Sequence, residues 1–201
     1  MGSTLLLASN SPRRRELLSE AGFEFEVWAP HVAESLEGHL TLRELTALNA
    51  TRKALAAART HPKQIILAAD TLVAIDNHVL GKPNDAGEAV AMLERLIGRA
   101  HEVCTSVFVC CLARSRSASF SEISRVHFRR FTRDQIERYL AKVNPLDKAG
   151  AYAAQGFGSE IIEKIDGSFT NVVGLPMERT IPALAEFGIE PNTKGVAAST
   201  P

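Results

Sequence analysis

The 201-residue sequence predicts an α/β fold, a mixed β-sheet with flanking helices. Three observations lead there. Short apolar runs at 4–8 and 65–69 end in polar or turn-forming residues, as buried strands do. Longer stretches at 42–59 and 86–97 carry apolar residues at helical spacing between the strand-like runs. Two strand-like segments, 103–112 and 121–131, follow one another across a Ser/Arg-rich turn at 114–119, which reads as an antiparallel hairpin. Alternating β and α units favour a parallel sheet, but the hairpin breaks that pattern, so the sheet is mixed.

The elements follow in order. After the first strand, Ser11 and Pro12 resemble an N-cap and a proline at the first helical position, where the missing N–H costs nothing. Leu17, Leu18 and Ala21 give that helix its apolar face, and Gly22 closes it. Residues 23–28 alternate as a second strand. In the long helix over 42–59, Leu45, Leu48, Ala50, Leu55 and Ala58 are the expected apolar face. The strand at 65–69 ends at Asp70 and Thr71, residues 72–75 continue extended, and Asp76-Asn77 make a turn. Helices are expected at 134–142 and 176–187, with a strand at 161–165. The length suits one domain, or two lobes around one cleft, over 1–190, and 191–201 is expected to be a flexible tail.

Composition narrows the function classes. Lys and Arg together number 23, matching 23 Asp and Glu, so no global field favours a polyanion and nucleic acid is not an expected partner. Any anion site must be local. No stretch approaches the roughly 20 apolar residues of a membrane span, and the first residues lack a signal-peptide pattern. Cys104, Cys110 and Cys111 lack zinc-site spacing and read as buried thiols of a reducing compartment. A cytoplasmic protein without membrane partners is expected.

Four segments could carry chemistry. Ser9-Asn10-Ser11-Pro12-Arg13-Arg14-Arg15 runs from a strand into a helix, where free backbone N–H groups, hydroxyls and guanidinium forks suit a phosphate. It would also serve as a capped surface helix. Three arginines at a helix start oppose the helix dipole, however, so an anion is expected beside them. Asp70-Thr71 stands where a strand ends, a place where ligands collect in open α/β sheets; the aspartate could hold a metal, take a proton from water, or open a turn. Glu34, Lys53, Lys82 and Asp147-Lys148 are charges near loops, solvated or gathered around a polyphosphate and a metal. Finally, 147–156 is rich in small residues, and Gln155 offers a donor and an acceptor to a base edge; the same segment could be a tightly packed connector. Residue chemistry alone gives an α/β protein with a polyphosphate pocket and does not name a reaction.

The ordered motifs add a resemblance. Ser9-x-Ser11-Pro12-Arg13-Arg14, Ala69-Asp70-Thr71, Gly81-Lys82-Pro83, Asp147-Lys148-Ala149-Gly150-Ala151-Tyr152 with Gln155-Gly156, and Asn171-Val172-Val173-Gly174-Leu175-Pro176 stand in the order seen in the Maf family. The resemblance spans about residues 5–187. It implies a two-lobed fold with a cleft, like that of inosine triphosphate pyrophosphatases. It implies hydrolysis of a nucleoside triphosphate between the α- and β-phosphates, with Mg²⁺, Mn²⁺ or Co²⁺. Asp70 matches the proton acceptor, and with Glu34 it would hold the metal. Ser9, Arg13, Arg14, Lys53 and Lys82 match substrate-binding positions. Arg13, Thr71 and Gln155 match the trio of the branch acting on dTTP and UTP, rather than the 7-methyl-GTP branch. Ala33 stands where an acid usually precedes the glutamate. A noncatalytic nucleotide-binding regulator of cell division is the reading from another class, and a homodimer remains open.

Overall fold

A computed structural model describes residues 4–35 and 39–192. Seven strands form one sheet in the order β2-β1-β3-β5-β6-β7, with β4 on β3. Strands β1 (Leu5–Leu7), β2 (Phe25–Val27) and β3 (Ile65–Ile75) pair in parallel around β1. β3 then pairs antiparallel with β4 (His78–Leu80) and β5 (Ala100–Cys111), followed by β6 (Arg116–Phe128) and β7 (Ile162–Asp166), also antiparallel. The mixed sheet expected from sequence is therefore present.

Helix α1 (Pro12–Glu20) starts as anticipated, with Ser11 as N-cap and Pro12 at the first position. α2 (Leu42–Thr60) and α4 (Arg133–Leu140) open with reciprocal caps, Thr41 with Glu44 and Thr132 with Gln135. α3 (Ala86–Leu96) buries Ala89, Met92, Leu93 and Leu96. Short helices α5 (Gly158–Ile161) and α6 (Phe169–Val173) precede α7 (Met177–Glu186). Among the described residues, no helix is long and apolar enough to cross a membrane. The three cysteines are buried and unpaired, and burial pushes the Cys110 thiol up to about 11.

Several sequence expectations need correction. β3 does not end at Ala69: its register with β5 runs unbroken from Ile66↔Cys110 to Ala74↔Glu102, which carries Asp70 and Thr71 through the strand interior. The hairpin turn is tighter than 114–119, because β6 begins at Arg116 and the chain reverses through Leu112–Arg114 and Ser115, which adopts positive φ. In α2, Leu48 and Leu55 are exposed; the buried face is Leu45, Thr46, Asn49, Ala50, Ala54, Ala57 and Ala58. Small alanines let this helix lie close to the sheet, so the larger leucines mark the wrong stripe. Of the expected tail, Asn192 is docked, its N–H donating to Gly22 O at 2.7 Å; residues 193–201 lie outside the described residues.

Side-chain alternation along β3 organises the interior. Ile66 and Ala68 face α2, with Leu6, Ala54, Ala57 and Ala58. On the other face, Ile65, Leu67 and Ala69 join a core with Leu17, Leu18 and Leu184. Further along that face, Val73 and Ile75 join a second core with Leu93, Leu96 and Ile136. Between the two cores the register places Thr71 beside Thr105, a polar layer in an otherwise apolar surface.

Candidate active site

The site arises from a gap in the sheet edge. On the side of β3 away from β5, β1 covers only Ile65–Leu67 and β4 begins at Val73. The stretch around Asp70–Leu72 has no strand beside it there. A cleft of about 290 Å³ opens at this gap, lined by the 8–14 loop, Glu34, Lys53, Asp70–Val73, Lys82, 147–149, 152–154 and 172–174. Members of both apolar cores line it, Val173 from one and Val73 and Val103 from the other. It sits beyond the carboxyl end of β1, the switch point where the chain leaves for α1.

Asp70 is 2% exposed and points toward α2. Lys53 Nζ donates to its Oδ1 at 2.6 Å, and Asn49 Nδ2 donates to its Oδ2 at 3.0 Å. Lys53 also donates to Glu34 Oε1 at 2.7 Å, so one ammonium bridges two carboxylates. Lys82 Nζ reaches the same Glu34 oxygen at 3.5 Å from an exposed loop. Burial would raise the Glu34 pKa, but Lys53, Lys82 and Arg14 outweigh it and hold the carboxyl below its ordinary value. Lys53 is thus not a loop charge. It follows Asn49 by one helical turn on the sheet-facing side of α2.

Neighbouring residues on β3 serve opposite faces. Thr71 faces the polar layer, where Arg14 Nη2 donates to its Oγ1 at 3.0 Å. Arg14 Nη1 donates to Ser9 Oγ at 3.1 Å and Nε to Gly174 O at 2.8 Å. The Thr105 hydroxyl donates to Asn171 O at 2.9 Å, so the proton in the 2.9 Å contact between Thr71 and Thr105 comes from Thr71. Asn171 anchors this layer, accepting from Thr105 N and donating to Val103 O and Ser124 Oγ. Gly174 has φ +127, a conformation only glycine takes easily, and a Cβ there would meet Thr71 Oγ1 at 3.4 Å. Burial lowers the Arg14 pKa, opposed by the charges of Asp70 and Glu34.

Arg13 departs from the expectation that the arginines at the start of α1 need an external anion. Its Nη1 donates to Asp147 Oδ2 at 2.8 Å and its Nη2 to Asp147 O at 3.0 Å, so the protein supplies the counter-charge across the cleft. Lys148 Nζ holds the other Asp147 oxygen at 2.5 Å. Burial would raise the Asp147 pKa, but hydrogen bonds from Lys148 and Arg13 draw it below its ordinary value.

Ser9, Arg13, Arg14, Glu34, Lys53, Asp70, Thr71 and Lys82 all line this one cleft, drawn from five separate stretches of chain. Gln155 does not line it. It is half-buried and follows Ala153 and Ala154, which do, and its carbonyl accepts from Gly158 N. Asn49, Ser35 and Thr105 belong to none of the sequence motifs, whereas Asn171 opens the last of them. The signal for Asn49 was present: Thr46, Asn49 and Lys53 make a polar stripe along the small-residue face of α2. His101 is buried in β5 with Nε2 3.0 Å from the hydroxyl of Tyr152, a residue that lines the cleft.

The lining carries five cations (Arg13, Arg14, Lys53, Lys82, Lys148) against three carboxylates (Glu34, Asp70, Asp147), a local positive excess in a neutral chain. Among the described residues, no group of three His, Cys, Asp or Glu side chains could hold a metal ion by itself. Glu34 and Asp70, meeting over Lys53, present an oxygen-only pair. That set suits a hard cation which completes its shell with water and substrate oxygens, not one caged by protein.

The sequence profile of the Maf-like protein family matches residues 4–187. The chain is 44% identical over 187 residues to the dTTP/UTP pyrophosphatase of Bacillus pumilus (strain SAFR-032), covering 93% of this chain and 98% of that protein. It is 42% identical over 186 residues to the dTTP/UTP pyrophosphatase of Desulforamulus reducens, covering 92% and 97%. Among solved structures, the Staphylococcus aureus Ham1 protein aligns with a TM-score of 0.42 at 16% identity, over 79% of this chain and 91% of that one. With its motifs gathered around one cleft and its relatives matched almost end to end, the chain belongs to the Maf-like protein family.

Proposed function

We propose that this cleft hydrolyses dTTP and UTP to the nucleoside monophosphate and pyrophosphate. The observation that carries the reading is the Glu34–Lys53–Asp70 cluster at the floor of a cation-rich cleft, in a chain whose relatives bear that activity in their names. The triphosphate lies against Ser9, Arg13, Arg14, Lys53 and Lys82 at the positive end of α1, which neutralise its charge. Asp70 orients a water and takes its proton as the water oxygen bonds to the α-phosphorus. The bond from that phosphorus to the bridging oxygen breaks, and pyrophosphate leaves. Glu34 and Asp70 would hold a divalent ion such as Mg²⁺, Mn²⁺ or Co²⁺, which supplies further charge neutralisation.

Arg13, Thr71 and Gln155 favour the pyrimidine base. Gln155 is half-buried and follows Ala153 and Ala154, which line the cleft, and its amide offers a donor and an acceptor to a base edge. Buried, unpaired thiols suit a cytoplasmic setting. The test is pyrophosphate release from purified protein with and without Mg²⁺ or Mn²⁺, across dTTP, UTP, the purine triphosphates and 7-methyl-GTP. Metal-dependent release fastest from dTTP and UTP is expected. Preference for 7-methyl-GTP would place the chain in the sister branch, and absence of turnover would favour a nucleotide-binding regulator.

A further inference from the structure

Asn49 is 1% exposed and makes three hydrogen bonds to two separate parts of the chain. Its Nδ2 donates to Asp70 Oδ2 at 3.0 Å and to Ser35 O at 3.1 Å, and its Oδ1 accepts from Ser35 N at 2.8 Å. Both amide protons and the amide oxygen are thereby engaged. If its purpose were only to satisfy the Ser35 backbone, one donor and the acceptor would suffice. The remaining donor goes to the acid at the centre of the cleft.

The geometry points to Asn49 as a positioning residue for both carboxylates of the site. It precedes Lys53 by one turn of α2, so the two side chains reach the same point on β3 and divide the oxygens of Asp70 between them. A carboxylate held at one oxygen can turn about its Cβ–Cγ bond, whereas one held at both is fixed in plane. By gripping both backbone groups of Ser35, Asn49 also anchors the segment that presents Glu34 to Lys53. One amide thus sets the plane of Asp70 and the placement of Glu34. Such supporting contacts are worth roughly 10–100-fold when lost, because the group they orient leaves its productive geometry. This inference rests on the proposed catalytic role of Asp70.

Asn49→Leu keeps the buried bulk and removes all three bonds. Asn49→Asp keeps an acceptor for the Ser35 N–H but loses the donor to Asp70. Turnover of dTTP, circular dichroism and hydrogen exchange at the Ser35 amide would be measured for both, beside Asp70→Asn. For folded Asn49→Leu, kcat is expected to fall ~10–100-fold with KM within about threefold of wild type, and the Ser35 amide to lose protection. Asn49→Asp is expected to lose at least as much kcat while the Ser35 amide stays protected, which a purely structural role would not produce. Wild-type kcat in either folded variant, or a raised KM with kcat unchanged, overturns the inference; Asn49→Asp decides it if Asn49→Leu does not fold. Near-normal turnover by Asp70→Asn overturns the proposed function itself. An inactive Asp70→Asn beside a fully active Asn49→Leu defeats the Asn49 inference alone.

Discussion

Lys53 Nζ lies 2.6 Å from Asp70 Oδ1, joining the middle of α2 to the middle of β3 at the one stretch of that strand with a vacant edge. Asp70→Asn keeps the shape of the side chain and removes the charge and the base. The expected result is a loss of at least ~10²-fold in kcat with an unchanged circular dichroism spectrum. Near-normal kcat in the folded variant would remove Asp70 from the chemistry.

Arg14 is a test of fork geometry. Its three nitrogens each donate to a different oxygen, on Ser9, Thr71 and Gly174, and a lysine ammonium cannot reproduce that planar spread. Arg14→Lys should lower stability by about 1–3 kcal/mol in denaturant titration, since buried acceptors lose their donors. Activity should fall as well, because Ser9 and Thr71 both lose their fixed partner at the cleft. An Arg14→Lys protein with wild-type stability and turnover would contradict this.

His101 gives the stability a pH dependence. Burial, with a small push from His127, lowers its pKa to about 3. Above pH 6.5 both folded and unfolded chains carry the neutral ring, and the group costs nothing. As pH falls below 6.5, the unfolded chain takes up a proton that the folded chain refuses, so stability is lost toward pH 3. The slope approaches about 1.4 kcal/mol per pH unit once the unfolded histidine is fully protonated. Between pH 6.5 and 5, above the carboxylate range, His101→Gln should flatten this decline in denaturant midpoints. An identical slope in the variant would show that His101 is not its source.

Gln155 tests the base preference. Gln155→Ala should raise KM for dTTP and UTP while leaving the melting temperature close to wild type, because the side chain is half-buried and belongs to neither apolar core. A site that hydrogen-bonds a base discriminates by leaving polar groups unpaired against the wrong one. Equal dTTP kinetics in the variant would take the specificity role away from Gln155.

How far the sequence could be read depended on whether the signal was local. Ser11-Pro12 opening α1 and the Asp76-Asn77 turn are chemistry within a few residues, and both were legible. Polar Asp70-Thr71 reads as a strand end in sequence, which cuts β3 short. The strand continues because each polar residue finds a partner across the sheet or on α2, and those partners lie far away in sequence. Leu48 and Leu55 outweigh alanines in an apolar stripe read from sequence, although close packing of α2 against β3 and β5 needs the small residues. The cleft's charged residues were recognisable through ordered motifs. Their pairings were not: Arg13 with Asp147 spans 134 positions, and no composition or periodicity encodes that contact.

The most direct test of the proposed chemistry is product identification from dTTP and UTP with Mg²⁺ present, by chromatography and ³¹P NMR. Attack at the α-phosphorus, directed by Asp70 within the cation-rich cleft, predicts dTMP or UMP and pyrophosphate in equal amounts, with the formation of both slowed at least ~10²-fold for Asp70→Asn. Release of orthophosphate with the nucleoside diphosphate, or unchanged product formation by Asp70→Asn, would contradict it.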